Sequence, residues 1–207
     1  MAFANEREEG VRYLRNLPGD TRALQGSLDS ARQAGLCEPL LRQGANVADV
    51  LAVFQSPDYR NRIAVFHYGG HANGYELLLD GGERLHGRGF AAFLGQQRGL
   101  QLVFLNGCAT EAHARRLLEV GVPAVIATAQ AVDDAVATAF ASHFYRALAS
   151  GASIEAGFRE AEASVLAARG ESPRALYWGG AETVADHLPW ALHVRQGAEA
   201  VRDWSLP

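Results

Sequence analysis

Four side chains in this sequence are candidates for nucleophilic or metal chemistry by type and spacing: Cys37, His67, His71 and Cys108. A thiol is a weak nucleophile and a thiolate a strong one. A nearby histidine can take the thiol proton or hold it as an ion pair. His71 lies in Phe66-His67-Tyr68-Gly69-Gly70-His71-Ala72, and Cys108 in Phe104-Leu105-Asn106-Gly107-Cys108-Ala109-Thr110. In both segments an apolar run ends in glycine just before the reactive residue. Glycine there permits a sharp turn that lifts a side chain out of a strand. Glu111 opens a helical stretch, so Cys108 is expected near a positive helix N-terminus, a setting that favours thiolate and can hold an oxyanion.

His67 and His71 are four residues apart and resemble a pair of metal ligands. A zinc site needs further ligands and supporting hydrogen bonds, and only Cys108 and His113 are candidates nearby. No metal is therefore expected, and His67 is expected to pack or hydrogen-bond beneath the site. Cys37 has no histidine motif near it and reads as core packing. His86, His113, His143, His187 and His193 carry no motif and read as surface or structural. The charged cluster from Glu6 to Arg15 reads as a solvated face, and Trp178 and Trp190 as core or lid packing.

The elements that must carry these residues alternate along the chain. Pro18 to Ala34 has helical spacing and stops at Gly35. Leu36 to Leu41 reads as a short strand. Asn46 can cap a helix over Val47 to Phe54. Arg62 to Tyr68 is an apolar run of strand length, suited to a strand buried on both faces. Gly74 to Asp80 reads as a short strand and turn, and His86 to Gln97 as a helix. Leu100 to Leu105 is a second buried-type strand, followed by a helix over Glu111 to Val120. Val122 to Thr128 is a third strand. Helices are expected over Asp133 to Ala149 and Ser153 to Ala168, and a last strand over Trp190 to Val194. Gly170 to Pro189 is the loosest stretch. The opening Met1 to Asn5 reads as the tail of a strand, brief or truncated. Strands alternating with helices predict an α/β sandwich with a mostly parallel central sheet flanked by helices. In such sheets functional groups gather beyond the carboxyl ends of the strands.

Composition narrows the chemistry. A chain of 207 residues with 48% hydrophobic and 20% charged residues can bury a core, and it reads as one domain over 1–207. A net charge of -4 argues against nucleic acid or an anionic membrane as partner. All 19 basic residues are arginine, so lysine-dependent mechanisms are excluded. Two cysteines make neither a disulfide scaffold nor a cysteine-rich zinc site. No signal peptide and no apolar run of membrane-spanning length is visible, so the cytoplasm is the expected compartment, with both thiols free.

Four blocks, HYGGHANG, LVFLNGCAT, AVIATAQAVDDAVAT and FYRALASGASIEAGFREAEA, occur in an order and spacing that resembles the CHAT domain of the caspase-like (clan CD) cysteine peptidases. The match runs from about Asn61 to Ala163. The resemblance implies a caspase-haemoglobinase-like sandwich. It implies His71 and Cys108 as a catalytic dyad, with the Ala72 and Cys108 N–H groups as oxyanion hole. A glycine is usual where Ala72 stands, a departure that keeps the N–H. The Val132-Asp133-Asp134 block is similar to one in the related separases that meets a basic P1 side chain. That implies Asp134, with Asp133 next, as substrate-binding residues, although Asp133 could equally cap the helix that starts there.

The expected activity is that of a cysteine endopeptidase acting on a protein or peptide substrate, with no cofactor. The resemblance further implies a regulated effector of bacterial defence or cell-death type, switched on by a sensor or scaffold protein. One alternative is a catalytically silent interaction module with the same fold. Another is a nucleotide-binding protein using GGHANG, which lacks both the phosphate-loop pattern and the lysine to complete one.

Overall fold

In the computed structural model, residues 1–4, 17–169 and 188–207 are described. The elements in chain order are β1 (Ala2–Phe3), α1 (Leu17–Gln33), β2 (Arg42–Gln43), α2 (Val47–Gln55), β3 (Val65–Gly69), β4 (Glu76–Leu78) and β5 (Arg84–His86). They continue with α3 (Gly87–Leu94), β6 (Leu102–Asn106), α4 (Glu111–Glu119), β7 (Ala124–Thr128), α5 (Asp134–Ala149), α6 (Ile154–Arg169) and β8 (Trp190–Val194). One sheet runs in the order β2-β1-β3-β6-β7-β8, and β4 and β5 form a separate antiparallel pair. Every pairing in the main sheet is parallel except β7 with β8. This is the α/β sandwich with a mostly parallel sheet that the alternation predicted.

The central strands are mostly apolar because helices cover both faces, with His67 inside β3 and Asn106 and Thr128 at the ends of β6 and β7 as exceptions. Phe66, Tyr68, Val103, Leu105, Val125 and Ala127 face a core completed by α2, α3 and α4. Leu102, Phe104, Ala124 and Ile126 face the opposite core, completed by α1, α5 and α6. Helix α5 supplies that second core with a stripe of Val136, Phe140, Phe144 and Leu148, each one turn apart. Trp190 stacks on Phe140 at 4.3 Å, as core packing. Asn46 caps α2 in a reciprocal capping box with Asp49.

Two expectations shift. Leu36 to Leu41 holds no strand; the edge pairing begins only at Arg42 and Gln43. Pro39 sits in the middle of that run and has no N–H to give a ladder. The helix expected over His86 to Gln97 is shorter, because residues 84–86 pair as β5 with β4 before the chain turns into α3. The cluster Glu6 to Arg15, Trp178, His187 and most of the loose stretch 170–189 lie outside the described residues.

His67 is wholly buried in β3, ringed by Phe3 at 5.4 Å, Phe104 at 4.7 Å and Tyr145 at 5.5 Å. Neither ring nitrogen has a hydrogen-bond partner among the described residues, so within them this histidine packs rather than hydrogen-bonds. Burial, with a smaller contribution from the charge of the chain's amino terminus, pushes its pKa down to about 3. The unfolded chain binds this proton near its ordinary value of about 6.5, whereas the folded chain refuses it until far lower pH. Stability is therefore fully present above about pH 6.5 and is lost as pH falls towards 3. Urea denaturation across that window is expected to give a clearly shallower pH slope in His67→Leu than in the wild type; an unchanged slope would refute this account.

Candidate active site

The β3–β6 ladder pairs Gly69 with Asn106. His71 and Cys108 therefore each stand two residues past a paired position on neighbouring parallel strands, whose spacing is about 4.8 Å. Both are half-buried. The loop of His71 is held from within. Leu78 N–H donates to the His71 carbonyl at 2.9 Å, and Asn73 N–H donates to the Glu76 carbonyl at 3.0 Å. The Tyr68 hydroxyl, fully buried, lies 2.5 Å from the His71 carbonyl and 2.7 Å from that of Leu78. Its single proton is shared between two acceptors that must stay close together.

The loop of Cys108 is held from β7. Thr110 and Thr128 are both fully buried. Thr128 N–H donates to the Thr110 hydroxyl oxygen at 2.9 Å, and Thr110 N–H donates to that of Thr128 at 3.4 Å. The hydroxyl protons then go to carbonyls: Thr110 to Leu105 at 3.1 Å, and Thr128 to Gly107. Asn106 adds two further ties, donating to the Ala137 carbonyl at 3.0 Å and accepting from the Trp190 indole at 3.1 Å. Ala109 has φ of +52°, a left-handed conformation that costs a non-glycine residue on the order of 1–3 kcal/mol. It turns the chain between Cys108 and the start of α4.

The two loops touch. A Cβ added at Gly107 would lie 2.6 Å from the Gly70 carbonyl oxygen and 3.1 Å from the Ala72 Cβ. A Cβ at Gly70 would lie 2.6 Å from the Tyr68 hydroxyl and 2.8 Å from the Ala4 carbonyl oxygen. Only glycine at position 107 allows the approach that brings the His71 and Cys108 segments together, and only glycine at position 70 fits between the Tyr68 hydroxyl and β1. Neither the Ala72 nor the Cys108 N–H donates a hydrogen bond to any described residue. Both are donors of the kind an oxyanion requires.

Asp133 caps α5, its Oδ1 accepting from Ala135 N–H at 3.1 Å and Val136 N–H at 3.2 Å. Asp134 lines a narrow recess with His67, Gly69, Gly70 and Asn106, beside the strand ends. The recess measures about 20 Å³, room for roughly one water molecule. Among the described residues no cluster of three metal-ligating side chains occurs. Cys37 packs at the margin of the α1, α5 and α6 core and also lines a cavity of about 600 Å³ near the amino ends of β1 and β3, away from Cys108. Burial raises its thiol pKa, which works against nucleophilic use. The residues that motif reading passed over are Tyr68, Thr110 and Thr128, and His113 reads from the sequence only as surface or structural. Thr128 and His113 bond carbonyls 21 and 40 residues away, and Tyr68 and Thr110 bond carbonyls of their own strand-end segments, so no motif marks these partners.

The CHAT domain family model matches residues 4–192, and the chain belongs to the CHAT family, which is related to the caspase-like cysteine peptidases. The chain matches no curated protein. No helix among the described residues is long and apolar enough to cross a membrane.

Thr128→Val keeps the shape of the side chain but removes one donor and one acceptor from a buried network. Unfolding in urea is expected to show a loss of about 1–3 kcal/mol. Iodoacetamide should also alkylate Cys108 more slowly as the Gly107 carbonyl is released. Thr128→Ser should preserve most of both properties.

Proposed function

We propose that this CHAT-family chain is a cysteine endopeptidase that uses His71 and Cys108 as a dyad. The observation that carries the reading is the contact between the two strand-end loops across Gly70 and Gly107. In the proposed reaction His71 takes the thiol proton, and the Cys108 sulfur forms a bond to the scissile carbonyl carbon. The carbonyl oxygen becomes an oxyanion held by the Ala72 and Cys108 N–H groups, a contribution of about 3 kcal/mol per donor. The C–N bond then breaks, and His71 returns the proton to the leaving amine. Water, deprotonated by His71, hydrolyses the thioester and restores the thiol. Every proton and electron pair in this sequence is supplied by the chain, the peptide and water.

The substrate of this reading is a protein or peptide, and the activating partner is a sensor or scaffold polypeptide of a bacterial defence or cell-death system. Asp134 would meet a basic P1 side chain. An arginine is far larger than the present recess, so productive binding requires its walls to open. The absence of lysine means that any self-cleavage at a basic P1 falls at arginine.

Labelling with an Arg-directed acyloxymethyl ketone, followed by peptide mass spectrometry, tests the reading. The expected adduct is on Cys108 and disappears in His71→Ala. An unmodified Cys108 in the presence of the activating partner, or an adduct that survives His71→Ala, would overturn the dyad. Asp134→Asn is expected to slow labelling by the Arg-directed reagent while sparing alkylation of Cys108 by iodoacetamide. Equal rates with the Arg-directed reagent would remove Asp134 from the P1 site.

A further inference from the structure

Helix α4 begins three residues after Cys108 and reaches across to the loop that carries His71. His113, in its first turn, is 3% exposed, and its Nε2 lies 2.6 Å from the Asn73 carbonyl oxygen. A carbonyl only accepts, so Nε2 carries the hydrogen. One turn on, Arg116 donates to the Gly74 carbonyl at 2.7 Å, and its guanidinium lies 5.7 Å from the centre of the Tyr75 ring. Gly87, at the start of α3, closes the other side of His113: a Cβ there would lie 2.7 Å from Nδ1. The Gly87 N–H in turn donates to the Tyr75 carbonyl at 2.8 Å. Three consecutive carbonyls, those of residues 73–75, are thus held from outside their own loop, two of them by the helix that follows the nucleophile.

We propose that His113, supported by Arg116, is a positioning residue that ties the His71 loop to α4 and so keeps His71 aligned with Cys108. The proposal rests on the dyad reading above. Tyr68 and Leu78 fix the His71 loop relative to its own strand. They do not fix it relative to the segment that begins at Cys108. The two α4 side chains supply that second constraint, and a misplacement of the dyad by about 1 Å can cost on the order of a hundredfold in rate. Burial lowers the pKa of His113, which favours the neutral ring, and the Asn73 carbonyl at Nε2 selects its tautomer.

The test is the rate of Cys108 alkylation by iodoacetamide as a function of pH. Cys37 in the same digest reports general loosening of the fold, because it lies away from the dyad. His113→Leu removes the donor and keeps the bulk. It is expected to slow Cys108 at neutral pH by on the order of tenfold or more, and to shift the profile to higher pH, with Cys37 unchanged. His113→Gln, which presents an N–H at a similar distance from the backbone, is expected to restore most of the rate. Wild-type behaviour in His113→Leu, or a glutamine variant no faster than the leucine one, would overturn the proposal. Arg116→Leu is the second variant, should His113→Leu not fold; it is expected to act in the same direction, and a wild-type rate there counts against the proposal equally. His71→Ala separates the two levels. If it reacts as fast as the wild type, the dyad fails and the proposal with it. A slow His71→Ala beside a fast His113→Leu would overturn the positioning role alone.

Discussion

Much of the molecule depends on one close approach, that of Gly107 to the Gly70 carbonyl at the carboxyl ends of two adjacent strands. Any side chain at Gly107 would force the His71 and Cys108 loops apart, and any at Gly70 would displace the His71 loop from Tyr68 and β1. So close a contact leaves both loops little room to move. Each loop is also held by a different route. The His71 loop is stiffened by Tyr68 and by its short ladder to β4. The Cys108 loop is stiffened by the reciprocal pair Thr110 and Thr128, reaching from the next strand.

These devices share a physical logic. Buried loop carbonyls must find donors, and leaving one unpaired costs about 1–3 kcal/mol. A hydroxyl that donates to a carbonyl and accepts from a backbone N–H satisfies two groups at once. Thr110 and Thr128 do this for each other, so neither works without its partner. The strain at Ala109 is tolerated because the residues on both sides of it are tied down. Asn106 extends the same support outward, joining the end of β6 to α5 and to Trp190.

The cores beneath the site are ordinary by comparison, and this is why the architecture was legible in the sequence. Runs such as LQLVFL and VPAVIAT have no polar alternation, because a parallel sheet covered on both faces has no wet side. The stripe on α5 repeats once per turn for the same reason. Failures of sequence reading cluster where a local pattern competes with a backbone requirement. Leu36 to Leu41 is apolar enough for a strand, yet Pro39 interrupts the donors. His67 resembles half of a metal pair by spacing, yet its neighbours are three aromatic rings that come from β1, β6 and α5.

The amino-acid sequence by itself determined the alternation of elements, the two glycine-bounded strand ends and the identity of His71 and Cys108 as the reactive candidates. These follow from residue types within a few positions of one another, where propensity and turn chemistry act. Only the tertiary structure decided that β3 and β6 are adjacent and in register from Gly69 to Asn106. It also decided that Asp133 caps α5 while Asp134 lines the recess, and that His113 reaches the carbonyl of Asn73, 40 residues away. Such pairings are set by the packing of helices on a common sheet. A hydrogen bond to a backbone carbonyl leaves no signature in the type of the residue that offers it.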